Sequence, residues 1–262
     1  MPSHNNPHRK PPEVLARDAG FRIIAGVDEA GRGPWAGPVV AAAVILARPI
    51  RGVRIDDSKR LSPSQRERAY GAILECATVG VGIVPSGEID ARNIRQATLA
   101  AMRSAVHHLA DRPDVVLVDG NDPPTCLSVR RTDTPPSGRA NRWGDDPPEL
   151  SIPCWPIVGG DRLSVPIACA SIIAKVTRDS LMRFYHRLFP EYEFHEHKGY
   201  GTPRHLQTLR QFGASLLHRA TFQPIADALR SVGAASGRAD AASEIDDAAQ
   251  LVASTVGVSL AD

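Results

Sequence analysis

An α/β domain is the fold class that the 262-residue sequence predicts, on two observations. Two short aliphatic, β-rich runs at residues 23–27 and 39–46 flank a glycine-rich turn, the pattern of a hairpin of buried strands. A helical apolar repeat at residues 93–110 then leads into the run 115–118, and a strand reached through a long helix is most simply parallel to an earlier one. Hydrophobic residues at 42% and charged residues at 23% supply a real core and exclude a disordered chain.

The remaining elements follow in order. Residues 79–84 are a third strand candidate. Before it, Ser62-Pro63-Ser64-Gln65 joins an N-cap serine, a proline at the first helical position and a glutamine at N3, which starts a helix running to about Cys76. Ile94, Ala97, Thr98, Ala101, Met102 and Ala105 recur at three- and four-residue spacing and mark the clearest amphipathic helix. Residues 121–153 hold seven prolines and one aromatic, Trp143, so an inserted, mobile loop is expected. Residues 154–158 are a strand candidate, Gly159-Gly160-Asp161 turns the chain, and a helical pattern runs over 165–188 with Pro166 in its first turn. Thr202-Pro203 caps another helix that Gly213 ends. The expected organisation is a flexible tail over 1–19, one domain over 20–231 and a flexible acidic tail over 232–262.

Composition narrows the function classes. No apolar run approaches the roughly 20 residues needed to cross a bilayer, and the polar, proline-rich start is unlike a signal, so a cytoplasmic protein that engages no membrane is expected. Cys76, Cys126, Cys154 and Cys169 include no CxxC pair, which argues against a zinc ribbon or a disulfide scaffold and for reduced, mostly buried thiols. The net charge of +2 hides an asymmetry: residues 238–262 carry −4, leaving +6 on the rest, an excess that permits nucleic-acid binding without requiring it.

Asp28 and Glu29 directly follow an apolar strand, where an unpaired buried carboxylate is costly and a cation is the simplest compensation. Solvated turn residues, or a pairing with Arg32, would equally account for them. Asp119 shifts the balance, because it ends a second apolar strand at the same expected sheet end, with Asp161 arriving from the next turn. Such an oxygen-rich cluster suits Mg²⁺ or Mn²⁺ rather than zinc, and four acids could offset two divalent ions. Gly31-Arg32-Gly33 and the glycines after it do not match GxGxxG, and read as a tight turn open to close backbone approach. Only four of the 31 basic residues are lysines, and Lys59, Lys175 and Lys198 stand beside other candidate residues, as phosphate contacts or as plain surface amines. His195-Glu196-His197 lacks a third soft ligand for a metal. Tyr200 lies between two glycines on a basic loop, placed to stack on a base or sugar, or simply half-buried. Ser171 shows no nucleophile and base pattern, so covalent hydrolysis is unsupported.

The segments 24–34, 57–59 (Asp57-Ser58-Lys59), 118–120, 170–179 and 197–200 (His197-Lys198-Gly199-Tyr200), in this order, resemble the bacterial ribonuclease HII family of type 2 ribonucleases H. The resemblance covers about residues 20–227 apart from the insertion. It implies a ribonuclease H-like mixed five-stranded sheet flanked by helices, with a small helical C-terminal part. It also implies a catalytic and metal-holding tetrad of Asp28, Glu29, Asp119 and Asp161, a junction-sensing turn at Gly31, Arg32 and Gly33, a sugar-contacting Tyr200, and phosphate contacts from Lys59 and Lys198. The implied cofactor is Mn²⁺ or Mg²⁺, two ions with substrate bound. The implied activity, by a monomer, is cleavage of RNA paired with DNA and 5′ to single ribonucleotides in duplex DNA, leaving 3′-hydroxyl and 5′-phosphate ends. Three features depart from the family: the long insertion, Gly160 where many relatives carry lysine, and the acidic tail. The alternative is a hybrid-binding protein that keeps the fold without turnover, its cleft covered by the acidic tail or the long insertion; loss of an acid would favour it, and none is lost. A small-molecule phosphatase would not need the basic loops or Tyr200.

Overall fold

The computed structural model describes residues 10–124, 148 and 150–233. The elements run α1 (Pro12–Asp18), β1 (Ile24–Ala30), β2 (Val39–Leu46), α2 (Pro63–Cys76), β3 (Ala77–Val84), α3 (Ser86–Arg92), α4 (Ile94–His107), β4 (Val115–Asp119), β5 (Cys154–Ile157), α5 (Val165–Leu188), α6 (Phe194–His197), α7 (Pro203–Phe212) and α8 (Ile225–Gly233). The five strands form one sheet in the order β3-β2-β1-β4-β5. The first three are antiparallel neighbours, whereas β4 and β5 continue the sheet in parallel from β1. The expected hairpin, the parallel β4 and the capping box of α2, with both of its reciprocal hydrogen bonds, are all present.

Both faces of the sheet are covered. Ala25, Val27, Val116 and Val118 pack on one side against Ala97, Ala101 and Met102 of α4. Their strand neighbours face the other way: Ala42 and Val44 meet Ile172 and Ile173 of α5 and Ile73 of α2, and Leu117 meets Ile167. Each fully buried aliphatic side chain contributes on the order of 1.5–3 kcal/mol. α5 approaches β1 so closely that a Cβ built on Gly26 would stand 2.2 Å from the Pro166 backbone carbon.

Three expectations change. Residues 12–18, expected in a tail, form a helix, because Ala16 is buried with Ile24 of β1 and Val115 of β4 and Glu13 Oε1 accepts the Val165 amide at 3.2 Å. The insertion does not end as a free loop: Leu150 and Ile152 join the α4 side of the core, and the Pro148 carbonyl lies 2.8 Å from His107 Nε2. The rest of it, residues 125–147 and 149, and the acidic tail from residue 234, lie outside the described residues, as does Cys126. The helices α3 and α6 were not anticipated. Cys169 alone of the described thiols is buried, while Cys76 and Cys154 are half-buried. Among the described residues no helix is long and apolar enough to cross a membrane.

Candidate active site

The acids meet because two strands end side by side. β1 extends past residue 27, so Asp28 and Glu29 lie within the ladder opposite Ala42 and Ala41. The parallel register pairs Val27 with Val118, which sets Asp28 beside Asp119, the last residue of β4. Alternation turns Asp28 toward α5, where Ser171 hydrogen-bonds its carboxyl. Glu29 turns the other way and lines a cleft with Arg32, Arg95, Thr98 and Asp119.

Electrostatics ties these groups together. Asp28 is 6% exposed. Burial holds its carboxyl well above the usual carboxylate range, and the charges of Glu29 and Asp119 raise it further. Burial also raises Glu29, against the pull of Arg32, whose Nη1 stands 3.4 Å from Glu29 Oε1. Asp161 sits in a 3₁₀ turn entered through Gly159 in the left-handed conformation (φ 67°). Its carboxyl is raised by burial, then by Asp57 and Asp119, with Lys59 and Arg162 opposing. The amide of the preceding Gly160 donates to Asp119 Oδ1 at 2.7 Å, which ties the third acid to the turn that carries the fourth. All four predicted acids therefore share one end of the sheet.

The donor set fits a hard divalent cation, since it is all oxygen and its members repel one another. Among the described residues no three Asp, Glu, His or Cys side chains stand close enough together to hold a metal ion by themselves. An ion held here would keep water or substrate oxygens in its shell, as Mg²⁺ characteristically does.

Beside the acids, the glycine turn is stitched to the Tyr200 loop. Trp35 and Ala36 donate their amides to the Gly199 carbonyl at 2.8 and 3.3 Å. Tyr200 is 45% exposed, and its Cε1 lies 3.9 Å from a Cβ built on Gly33. Gly31 has φ 98°, and a side chain there would collide with Arg178, whose Nε would stand 2.1 Å from the new Cβ. Two residues that sequence reasoning did not single out underlie this turn: Arg178 and Arg219, 1% and 0% exposed, donate to its carbonyls. Arg178 stood inside a recognised segment; nothing in the sequence marked Arg219.

The lysines divide. Lys59 faces Asp161, in a 3₁₀ turn capped by Asp57. Lys198 folds its ammonium back onto the His195 carbonyl, and Lys175 pairs with Asp179 at 2.8 Å. The two histidines of 195–197 part company, His195 stacking on His186 and His197 on His205.

Solved structures share this frame. Ribonuclease H2 from Pyrococcus horikoshii OT3 aligns with a TM-score of 0.61 and 25% identity over 80% of this chain and 98% of that one. Bst-RNase HIII in complex with Mn²⁺ has a TM-score of 0.57 and 18% identity over 87% and 76%, a likeness of fold. Fold and acidic strand ends together define an enzyme of the ribonuclease H class. The Ribonuclease HII family pattern matches residues 25–225. Ribonuclease HII of Thermotoga maritima is 46% identical over 209 residues, 80% of this chain and 76% of that protein, and that of Chlamydia muridarum is 47% identical over 220 residues, 83% and 90%. The chain belongs to the ribonuclease HII family and is an endoribonuclease of the ribonuclease H type.

Proposed function

We propose that the chain hydrolyses the RNA strand of RNA–DNA hybrids and cuts 5′ to single ribonucleotides embedded in duplex DNA, with Asp28, Glu29, Asp119 and Asp161 as the catalytic acids. The observation that carries this reading is the register that sets Asp28 beside Asp119, next to a glycine turn packed against Tyr200. In it, the four acids hold two Mn²⁺ or Mg²⁺ ions. When bound, such ions activate the attacking water and stabilise charge on the phosphodiester and its departing 3′ oxygen. Mn²⁺ in the fold neighbour Bst-RNase HIII supports the choice of metal.

The protein's own groups supply geometry. Ser171 and the Glu29 amide orient Asp28, and Gly160 orients Asp119. The backbone of Gly31, Arg32 and Gly33 reaches the ribose 2′-hydroxyl, the group that separates RNA from DNA. Tyr200 presses on the neighbouring deoxyribose, and Arg32 and Lys59 face phosphates. Lys198, turned back on its own loop, reaches a phosphate only after releasing His195. Water attacks phosphorus in line, leaving a 3′-hydroxyl and a 5′-phosphate. The enzyme is read as a cytoplasmic monomer in ribonucleotide removal during replication and repair.

The test is cleavage of a duplex with one ribonucleotide, with and without Mn²⁺ or Mg²⁺. Cutting should require the metal, ignore the base at the ribonucleotide, and vanish when its 2′-hydroxyl becomes hydrogen. Tyr200→Ala should lose at least about 10-fold more on the embedded ribonucleotide than on a continuous hybrid. Cutting of the all-DNA duplex, or cutting without divalent cation, would overturn the reading.

A further inference from the structure

We propose that Arg178 and Arg219 are positioning residues for ribose discrimination, holding the turn so that its carbonyls face the protein and the amides of Arg32 and Gly33 face the substrate. The inference rests on the reading of that turn as the ribose contact. Every hydrogen bond of the two guanidinium groups ends on a main-chain carbonyl. Arg219 donates to Gly31, to Arg32 at 2.8 Å and to Gly37 at 3.1 and 2.8 Å, so one planar fork ties both ends of the turn. Arg178 donates to Ala36 at 3.1 Å, to Pro38 at 3.0 Å and to Lys198 at 3.0 Å, tying the turn to the Tyr200 loop.

Burying two cations that hydrogen-bond no carboxylate among the described residues is costly, although the charges of Asp179 and Asp90 favour Arg178 and Arg219 from a distance. Burial, then Arg178, brings the Arg219 guanidinium down to about 9. Apolar side chains would fill the same volume without that cost, so packing alone does not account for the pair. Peptide geometry does. In a trans peptide the carbonyl of one residue and the amide of the next point in opposite directions. Drawing the Gly31 and Arg32 carbonyls inward therefore turns the Arg32 and Gly33 amides outward. Those amides donate to no acceptor among the described residues, whereas Trp35, Ala36 and Gly37 later in the turn are all bonded. The outward pair sits where the Tyr200 ring approaches Gly33.

Lysine keeps the charge but offers a point donor that cannot span the turn. Binding is measured without divalent cation, comparing a duplex holding one ribonucleotide with the same duplex in DNA. Arg219→Lys, shown folded by circular dichroism, should lose at least about 10-fold of the native preference for the ribonucleotide while keeping DNA affinity within about 2-fold. A general loss of structure would weaken both duplexes together. Should Arg219→Lys not fold, Arg178→Lys carries the same expectation. Amide exchange in the native protein supplies a second measurement: the Arg32 and Gly33 amides should exchange freely alone and be protected by the ribonucleotide duplex, not by the DNA duplex. A native enzyme that shows neither preference nor protection would remove ribose reading by this turn altogether. A native enzyme that shows both, beside folded lysine variants that keep the full preference, would overturn the positioning role alone. Protection confined to other amides would also overturn it.

Discussion

Asp119 is held by the Gly160 amide at 2.7 Å, beside the like charge of Asp28 in the adjoining strand. Asp119→Asn preserves its shape and removes one charge. Turnover should fall at least about 100-fold, the usual loss for a preorganised electrostatic group, while anisotropy shows duplex binding intact. His205 and His218 place their Nε2 atoms 3.0 Å apart in the interior. The Tyr200 carbonyl obliges His205 Nδ1 to donate, so its Nε2 accepts. His218 accordingly donates from Nε2 and accepts at Nδ1 from the Ser215 amide at 2.9 Å. Both rings are thereby held neutral, and burial lowers them to about 4 and about 3. The unfolded chain binds these protons near pH 6.5 and the folded one only far below, so their stabilisation is complete above 6.5 and is lost as pH falls toward 4 and then 3. Asp28, raised by burial, contributes in the opposite sense. Between pH 6.5 and 4 the native Tm should drop at least about 5 °C more than that of a His205→Gln, His218→Gln double variant, by calorimetry.

At the scale of elements, α5 is the part on which the site rests. It meets β1 at Gly26, carries Ser171 to Asp28 and holds Arg178 under the glycine turn. Gly26→Ala would force its new carbon against the backbone at Pro166 and Ile167, so urea unfolding should show a loss of about 3 kcal/mol or more. These contacts have no trace in local sequence, although the elements making them do. Pro166 at the start of α5 and the capping box of α2 are chemical signals, read correctly because a cap acts within four residues. The helix α3 gave none: it has no side-chain cap, contains Gly87 and is seven residues long.

At the scale of the whole molecule, the N-terminal segment belongs to the enzyme. Glu13 caps α5 from α1, and Ala16 packs beneath Ile24 and Val115. Removing residues 1–19 should therefore cost about 2 kcal/mol, seen as a lowered Tm, from one lost cap and one lost apolar contact. Deleting residues 235–262, polar and rich in small side chains, should leave cleavage and unfolding nearly unchanged. A large fall in Tm on that truncation would reveal a docked segment.

By itself the sequence determined the strands, the main helices and the four acids, because each is written in a short-range pattern: an apolar run, a cap, or a charge where an apolar run ends. Asp28, Glu29 and Asp119 were legible as a cluster for that reason, and the five ordered segments are what suggested the chemistry proposed for them. Only the tertiary structure decided that Glu29 pairs with Arg32 while Asp28 is buried against Ser171. Likewise, only it showed that Lys198 turns away and that Arg219, nearly 190 residues from Gly31, takes that residue's carbonyl. Such contacts depend on which backbone atoms the packed sheet and helices leave exposed, and one position in a sequence carries no record of a partner so far along the chain.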